Sequence, residues 1–237
     1  MTQRKALKII PQPMRRQVED GLRKAIIAGV FPAGAHLSDR LLCETFGASR
    51  SIVREAVRLL EAEGLVVVHP NRGPFVASIS ATEAEEIYEL RAALEGLAGE
   101  GFARRATTGE RAALRHIYEE LAASGPATSR ETLLDIKRRF YDVLTAGCRN
   151  AYVSRILGQL LNRNSQLRAT SLSAPGRLPH TVAELGRIVD AIDRRDAAAA
   201  GAACRDHVHR AAEAALRIIG EREATCVASS FATAEGI

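Results

Sequence analysis

The stretch SRSIVREAVRLLEAEGL, residues 49–65, sets Arg50, Arg54 and Arg58 at intervals of four. On a helix those intervals put three guanidinium groups on one face, while Ile52, Val53, Ala56, Val57, Leu59 and Leu60 cover the opposite one. Ser49 and Ser51 add hydroxyls at the helix N-terminus, where unpaired backbone N–H groups and the positive dipole end attract phosphate. A guanidinium pairs bidentately with a guanine edge or bridges phosphates, so the chemistry of this face is recognition of a polyanion. The competing reading is a solvated face on which Arg54 and Arg58 pair with Glu55, Glu61 or Glu63. The surrounding elements decide between them.

Upstream, Val18, Leu22, Ala25 and Ile26 recur at helical spacing and predict a first helix over 15–28, ended by Gly29. FPAGAHLS turns the chain, Ser38 caps a short helix over 39–46, and Gly47 stops it before Ser49 caps the next. Two short helices so closely spaced predict a helix-turn-helix whose second helix reads the major groove. LVVVHPNRGPFVAS then predicts a hairpin with a four-residue turn, Pro70-Asn71-Arg72-Gly73. Helices followed by a basic-tipped hairpin predict a winged helix-turn-helix.

Charge supports the polyanion. Residues 1–80 hold 12 Lys and Arg against 7 Asp and Glu, whereas the rest of the chain holds 21 of each, so the whole net charge of +5 lies in the first third. A length of 237 residues suits two domains, and abundant Ala and Leu with 4% aromatics points to cores of packed helices. Cys43, Cys148, Cys204 and Cys226 lie far apart without ligand spacing and read as reduced thiols. No apolar run is long enough to cross a membrane and the N-terminus lacks a secretory apolar core, so a cytoplasmic protein is expected. Beyond the capping pattern SATE at 80–83, helices are predicted over 82–105, 109–124, 129–147, 150–168, 180–194 and 196–221. The expected architecture is mostly α: a flexible basic arm over 1–13, a winged helix-turn-helix over 14–79, an all-α helical bundle over 80–222 and an aperiodic tail over 223–237.

The stretch LRKAIIAGVFPAGAHLSDRLLCETFGASRSIVREAVRLLEAEGLVVVHPNRGPFVA resembles the N-terminal domain of the GntR regulators, with their PxG turn, SRxxVREAxxxLExEGL recognition helix and NRGxFV wing. The resemblance to the fatty-acid-regulator branch implies DNA contacts at Arg40, Ser49, Arg50, Ser51, Arg54, Asn71, Arg72 and Gly73. EIYELRAALEGLAGEGFARRA, FYDVLTAGCRN and GRIVDAIDRRDAAAAGAACRDHV resemble the all-α FCD effector domain of the same branch. Many such domains hold a metal through an Asp, a His four residues later and two further His, and the metal grips a small carboxylate. Here Lys137 falls at the Asp, Tyr141 at the first His and Leu185 at the second, leaving His207 alone at a ligand position. No metal or other cofactor is therefore expected, because Zn or Ni sites need three or more suitable protein donors.

Lys137 and Tyr141 stand at i and i+4, so both can face one cavity, where the ammonium supplies the positive charge a metal usually brings. The alternative is that Lys137 belongs to the solvated run Lys137-Arg138-Arg139. Arg91 matches an arginine that this domain often carries on its first helix, either on the effector or bracing the bundle, and His207 reads as a hydrogen-bonded core residue or a ligand. The expected effector site is thus Lys137, Tyr141, Arg91 and His207, for a small organic acid or other anionic metabolite. The expected function is a transcriptional regulator, a repressor, that binds a palindromic double-stranded operator as a homodimer. An architectural DNA-binding protein without an effector is the alternative. An enzyme is disfavoured because no clustered carboxylates, Ser-His-Asp grouping or phosphate loop appear.

Overall fold

The computed structural model describes the backbone of residues 13–125 and 127–234, and their side chains outside 161–164 and 222–234. Residues 1–12 of the expected basic arm and the end of the expected tail, 235–237, lie outside the described residues. The chain forms two compact units, Met1–Ser78 and Ile79–Ile237.

In the first unit, α1 (Met14–Ala28) buries Val18, Leu22 and Ile26 along one stripe and ends where Gly29 adopts the left-handed conformation, φ 81°. α2 (Asp39–Phe46) and α3 (Arg50–Ala62) begin on Ser38 and Ser49, whose hydroxyl oxygens accept from the N–H groups of Leu41 and Ile52. Leu22, Leu37, Leu42, Val53, Leu60 and Val76 meet in one core, and Arg23 ties α1 to the end of α3 through Glu63 at 2.9 and 2.8 Å.

The wing is an antiparallel pair, β1 (Val66–His69) and β2 (Gly73–Val76), in the register Val66 to Val76 and His69 to Gly73. Gly73 therefore belongs to the ladder, and the loop is Pro70-Asn71-Arg72 rather than the expected four residues. The segment expected only to turn the chain also lies along β2. Gly34 donates to Val76 O at 2.9 Å, Val76 donates to Ala35 O at 2.9 Å and Leu37 donates to Pro74 O at 2.8 Å. Those bonds satisfy backbone groups on the outer edge of the wing strand.

Seven helices make up the described part of the second unit: α4 (Ala81–Arg105), α5 (Thr108–Ala122), α6 (Arg130–Gly147), α7 (Ala151–Gln159), α8 (Leu161–Leu172), α9 (Arg177–Asp193) and α10 (Ala197–Ala234). α4 is buried along most of its length. Its first half packs Ala84, Ile87 and Tyr88 against Val208, Ala211 and Ala215 of α10, and its second half packs Ala98 and Phe102 against Phe140, Leu144, Leu185 and Ile188. Small residues let α4 and α10 approach closely: a Cβ on Gly99 would stand 2.6 Å from Cys204 Sγ and 3.0 Å from Ala200 O.

Three expected boundaries are corrected. The single helix over 150–168 is divided at Leu160 into α7 and α8. The helix expected from 180 begins at Arg177, directly after Gly176 in the left-handed conformation. The backbone expected to become an aperiodic tail from 223 is helical through Ala234. Gly220 weakens a helix by about 1 kcal/mol relative to Ala but does not end one, and no Pro follows it.

Candidate functional site

The buried side of α3 carries Val53, Ala56, Val57 and Leu60, so packing turns Arg50, Ser51, Arg54 and Arg58 outward, and all four are exposed. Arg54 does not pair with Glu55, Glu61 or Glu63. Its Nε and Nη2 reach Asp39 Oδ2 on α2 at 2.9 and 2.8 Å, which holds the guanidinium across the helix-turn-helix while 66% of the side chain stays exposed. Glu55 and Glu63 face Arg15 and Arg23 of α1 instead. Arg40, beside Asp39 in the first turn of α2, is also exposed, as is Ser49.

The wing tip is built for its bend. Asn71 (φ 62°) and Gly73 (φ 84°) both occupy the left-handed region, and Arg72 N–H closes the turn on His69 O at 3.1 Å. A Cβ on Gly73 would stand 3.2 Å from His36 Nε2. Asn71 and Arg72 are exposed, and the Arg72 guanidinium lies 5.5 Å from the centroid of the Phe75 ring, which also packs on His36 and His69. This unit therefore presents cations on a convex helix face and on a hairpin tip, the two features that enter grooves of a duplex.

The second unit holds a different kind of site. Arg91, Glu95, Lys137, Arg168, Arg177, Glu184 and His207 are all buried, each no more than 7% exposed, although they come from α4, α6, α8, α9 and α10. Lys137 thus separates from its neighbours: Arg138 and Arg139 pair at the surface with Asp135, Asp142 and Glu120. Arg91 Nε donates to Glu95 Oε1 at 2.9 Å, and Arg168 Nη2 reaches the same oxygen at 3.5 Å. The Arg168 guanidinium stacks 3.8 Å from the centroid of the Tyr141 ring, whose centroid is 6.5 Å from that of His207. Glu184 takes a bidentate pair from Arg177 at 2.8 and 2.7 Å and meets His207 Nδ1 at 2.7 Å.

These contacts set the protonation states. Burial, reinforced by Arg168, Arg91 and Arg177, pushes Lys137 down to about 7. Burial disfavours the Glu184 carboxylate, yet hydrogen bonds from His207 and Arg177 overcome it and hold the group down at about 2. His207 is pushed down to about 4, foremost by burial, so at neutral pH it is an uncharged imidazole. An ionised Glu184 can only accept, which places the imidazole proton on Nδ1 and leaves Nε2 as an acceptor. Burial raises the Tyr141 phenol well above its ordinary range and keeps it neutral.

Several polar atoms in this cluster have no hydrogen-bond partner: Arg91 Nη1 and Nη2, Arg168 Nε, Arg177 Nε, Tyr141 OH, Thr181 Oγ1 and His207 Nε2. A cleft of about 120 Å³ lined by Tyr141, Asp142, Thr145, Ser154, Leu157, Gly158 and Arg168 adjoins it, with the Asp142 carboxylate held by Arg138 at 2.8 Å.

The metal centre of similar domains does not fit these donors. Leu185 is fully buried in the apolar core, while its neighbour Glu184 is the residue that meets His207 and is already held by Arg177. Tyr141 is a neutral phenol and Lys137 a cation or amine, and no three His, Cys, Asp or Glu come together among the described residues. Lys137, Tyr141 and His207 instead lie within a cluster rich in guanidinium groups.

Of the residues singled out by sequence, Arg91, Lys137, Tyr141 and His207 come together here. Sequence reasoning missed Glu95, Arg168, Arg177, Thr181 and Glu184. Glu95 had a legible signal, its place four residues after Arg91. Arg177 fell between two expected helices, and Arg168 at the expected end of one. α4 also leaves Leu90 and Leu97 exposed at 43% and 50%, seven residues apart and so on one face.

Comparison with known proteins follows the two units. The family described as bacterial regulatory proteins, gntR family, matches residues 14–76, and the FCD domain matches residues 86–210. The uncharacterized HTH-type transcriptional regulator YdhC of Bacillus subtilis (strain 168) is 28% identical over 191 residues, covering 80% of this chain and 85% of that protein. The Glc operon transcriptional activator of Escherichia coli (strain K12) is 25% identical over 221 residues, covering 83% of this chain and 87% of its own. Among solved structures, a transcriptional regulator GntR from Rhodococcus sp. RHA1 aligns with a TM-score of 0.69 at 25% identity, covering 87% of this chain and 97% of that one.

Proposed function

Because the chain belongs to the gntR family of bacterial regulatory proteins and joins that family's winged helix-turn-helix to an FCD domain, we propose that it represses transcription from a palindromic operator and responds to a small anionic metabolite. The observation that carries this reading is the pairing of an outward cationic face, Arg50, Arg54 and Arg72, with a buried cationic cluster in the helical unit. Arg50 and Arg54 address base edges and adjacent phosphates in the major groove, with Arg40, Ser49 and Ser51 on the flanking backbone. Arg72 reaches from the wing with Asn71, and Gly73 lets that backbone approach the duplex. Repression is assigned because it needs only occupancy of the operator, whereas activation needs a further surface for polymerase.

The acting species is a homodimer, since a two-fold protein matches two half-sites. The exposed Leu90 and Leu97 on α4 are the surface that supports self-association, a helix face unusually apolar for solvent. The effector acts by binding the operator-competent and operator-free states unequally, and Lys137, Tyr141, Arg91 and His207 are its contacts.

Enrichment of a random duplex library with the full chain tests the DNA half. A near-palindromic consensus is expected, and Arg50→Ala is expected to weaken binding to it by about 1 to 3 kcal/mol and relax base choice. Enrichment without any consensus points to an architectural protein and overturns the reading. An unchanged Kd at fixed salt removes Arg50 from the contacts.

A further inference from the structure

Resting on the reading of the helical unit as anion-responsive, we propose that its buried cluster is a site for a dicarboxylate, with one carboxylate at each end of the cluster. The first ground is charge. The buried charged side chains of the described unit are four cations, Arg91, Lys137, Arg168 and Arg177, and two carboxylates, Glu95 and Glu184, with His207 neutral. With Lys137 protonated the cluster lacks two negative charges, and buried cations without partners are costly. A monoanion leaves one cation uncompensated and a dianion leaves none.

The second ground is where the unpaired donors lie. Both protein carboxylates are already shared, Glu95 between Arg91 and Arg168, and Glu184 between Arg177 and His207. Arg91 Nη1 and Nη2, on a guanidinium 5.0 Å from the Tyr88 ring centroid, and Arg168 Nε lack hydrogen bonds beside Glu95, and Arg177 Nε lacks one beside Glu184, as does Thr181 Oγ1 four residues on along α9. Lys137 and Tyr141, on α6, supply the connecting stretch through the Arg168–Tyr141 stack and the Tyr141–His207 contact. Donors grouped around two different protein carboxylates suit a ligand that carries two carboxylate groups of its own. The third ground is access: Tyr141 and Arg168 belong both to the cluster and to the lining of the adjoining cleft.

Protonation follows. In the empty protein Lys137 titrates near 7 against Arg91, Arg168, Arg177, Glu95 and the His207–Glu184 pair. A bound dianion raises it, so binding above neutrality draws in a proton while binding at acid pH, where Lys137 already carries one, does not. Affinity for the dianion therefore falls as pH rises above 7.

Isothermal titration of the full chain with saturated dicarboxylates from malonate to adipate, the monocarboxylates propionate to hexanoate, and inorganic phosphate tests this. Titrations at pH 6 and pH 8 in buffers of differing ionisation enthalpy read the protons. At least one dicarboxylate is expected to bind roughly tenfold or more tightly than the monocarboxylate of equal length, because the latter leaves a charge unpaired. That dicarboxylate is expected to take up close to one proton at pH 8 and almost none at pH 6. Lys137→Met, which keeps the stem, is expected to shrink the preference and abolish the proton uptake. Monocarboxylates binding as well as dicarboxylates, or phosphate binding where no dicarboxylate does, overturns the two-ended dianion site and leaves the anion-responsive reading standing. Binding of none of these anions, by a protein that still binds its operator, overturns both.

Discussion

Replacing Lys137 by methionine is expected to stabilise the empty protein, and by an amount that depends on pH. The side chain is buried among three guanidinium groups, and its ammonium is pushed from an ordinary 10.5 to about 7. A depressed lysine costs nothing at high pH, where neither folded nor unfolded chain is protonated. As pH falls through 10.5 the unfolded chain gains a proton that the folded one does not, and the penalty grows until pH reaches 7. Integrating that difference gives at most roughly 4 kcal/mol at pH 7 and about 2 kcal/mol at pH 9. Methionine preserves the aliphatic stem and removes the charge. For a domain of this size the gain corresponds to a rise in Tm of up to roughly 8 to 16 °C at pH 7 and about half that at pH 9.

Thermal unfolding of the full chain by far-UV circular dichroism, in buffers without polyvalent anions, measures it. Most of the helix lies in α4 to α10, so the main transition reports the unit that holds Lys137. The decisive quantity is the change in the variant's advantage between pH 7 and pH 9, because differences in packing between Lys and Met do not titrate. An advantage that is the same at both pH values would falsify the assignment of Lys137 as a buried, charge-repelled amine.

Glu184→Gln leaves Arg177 and His207 without their carboxylate, and is expected to cost about 3 to 5 kcal/mol at neutral pH. Glu184 is held at about 2, so its contribution is complete above pH 4.5 and fades as pH falls toward 2; the gap between wild type and variant should close over that window in acid denaturation. Gly99→Ala places a Cβ against Cys204 and the Ala200 carbonyl and is expected to cost about 1 to 3 kcal/mol, read as a lowered urea midpoint. No change there would mean that α4 and α10 separate freely. Gly73→Ala forces a side chain into φ 84° and is expected to cost about 1 kcal/mol. Calorimetry should find that loss in the unfolding of the DNA-reading unit, and an unaltered profile would show that the wing turn tolerates another conformation.

The two units were not equally legible in the sequence. Ser38, Gly47, Ser49 and the Asn71-Arg72-Gly73 turn act on backbone groups within a few residues, and the cationic face of α3 follows from a spacing of four. Such signals are local, so the DNA-reading unit could be laid out before any contact was known. Even there, Asp39 was not among the partners weighed for Arg54, because it lies on another helix.

The helical unit depended far more on packing. Its boundaries were approximate: α10 runs on through Gly220 to Ala234, and the helix expected over 150–168 divides at Leu160, two residues after Gly158. Lys137, Arg138 and Arg139 are indistinguishable as a run of cations, yet only Lys137 is buried. The resemblance to FCD domains directed attention to Lys137, Tyr141 and His207, but Glu95, Arg168, Arg177 and Glu184 emerge only when five helices are brought together. The sequence by itself determined which residues could present cations to DNA, since exposure of a helix face follows from the apolar stripe opposite it. Only the tertiary structure decided which charges are taken out of water, because the carboxylates that make that burial tolerable come from remote parts of the chain.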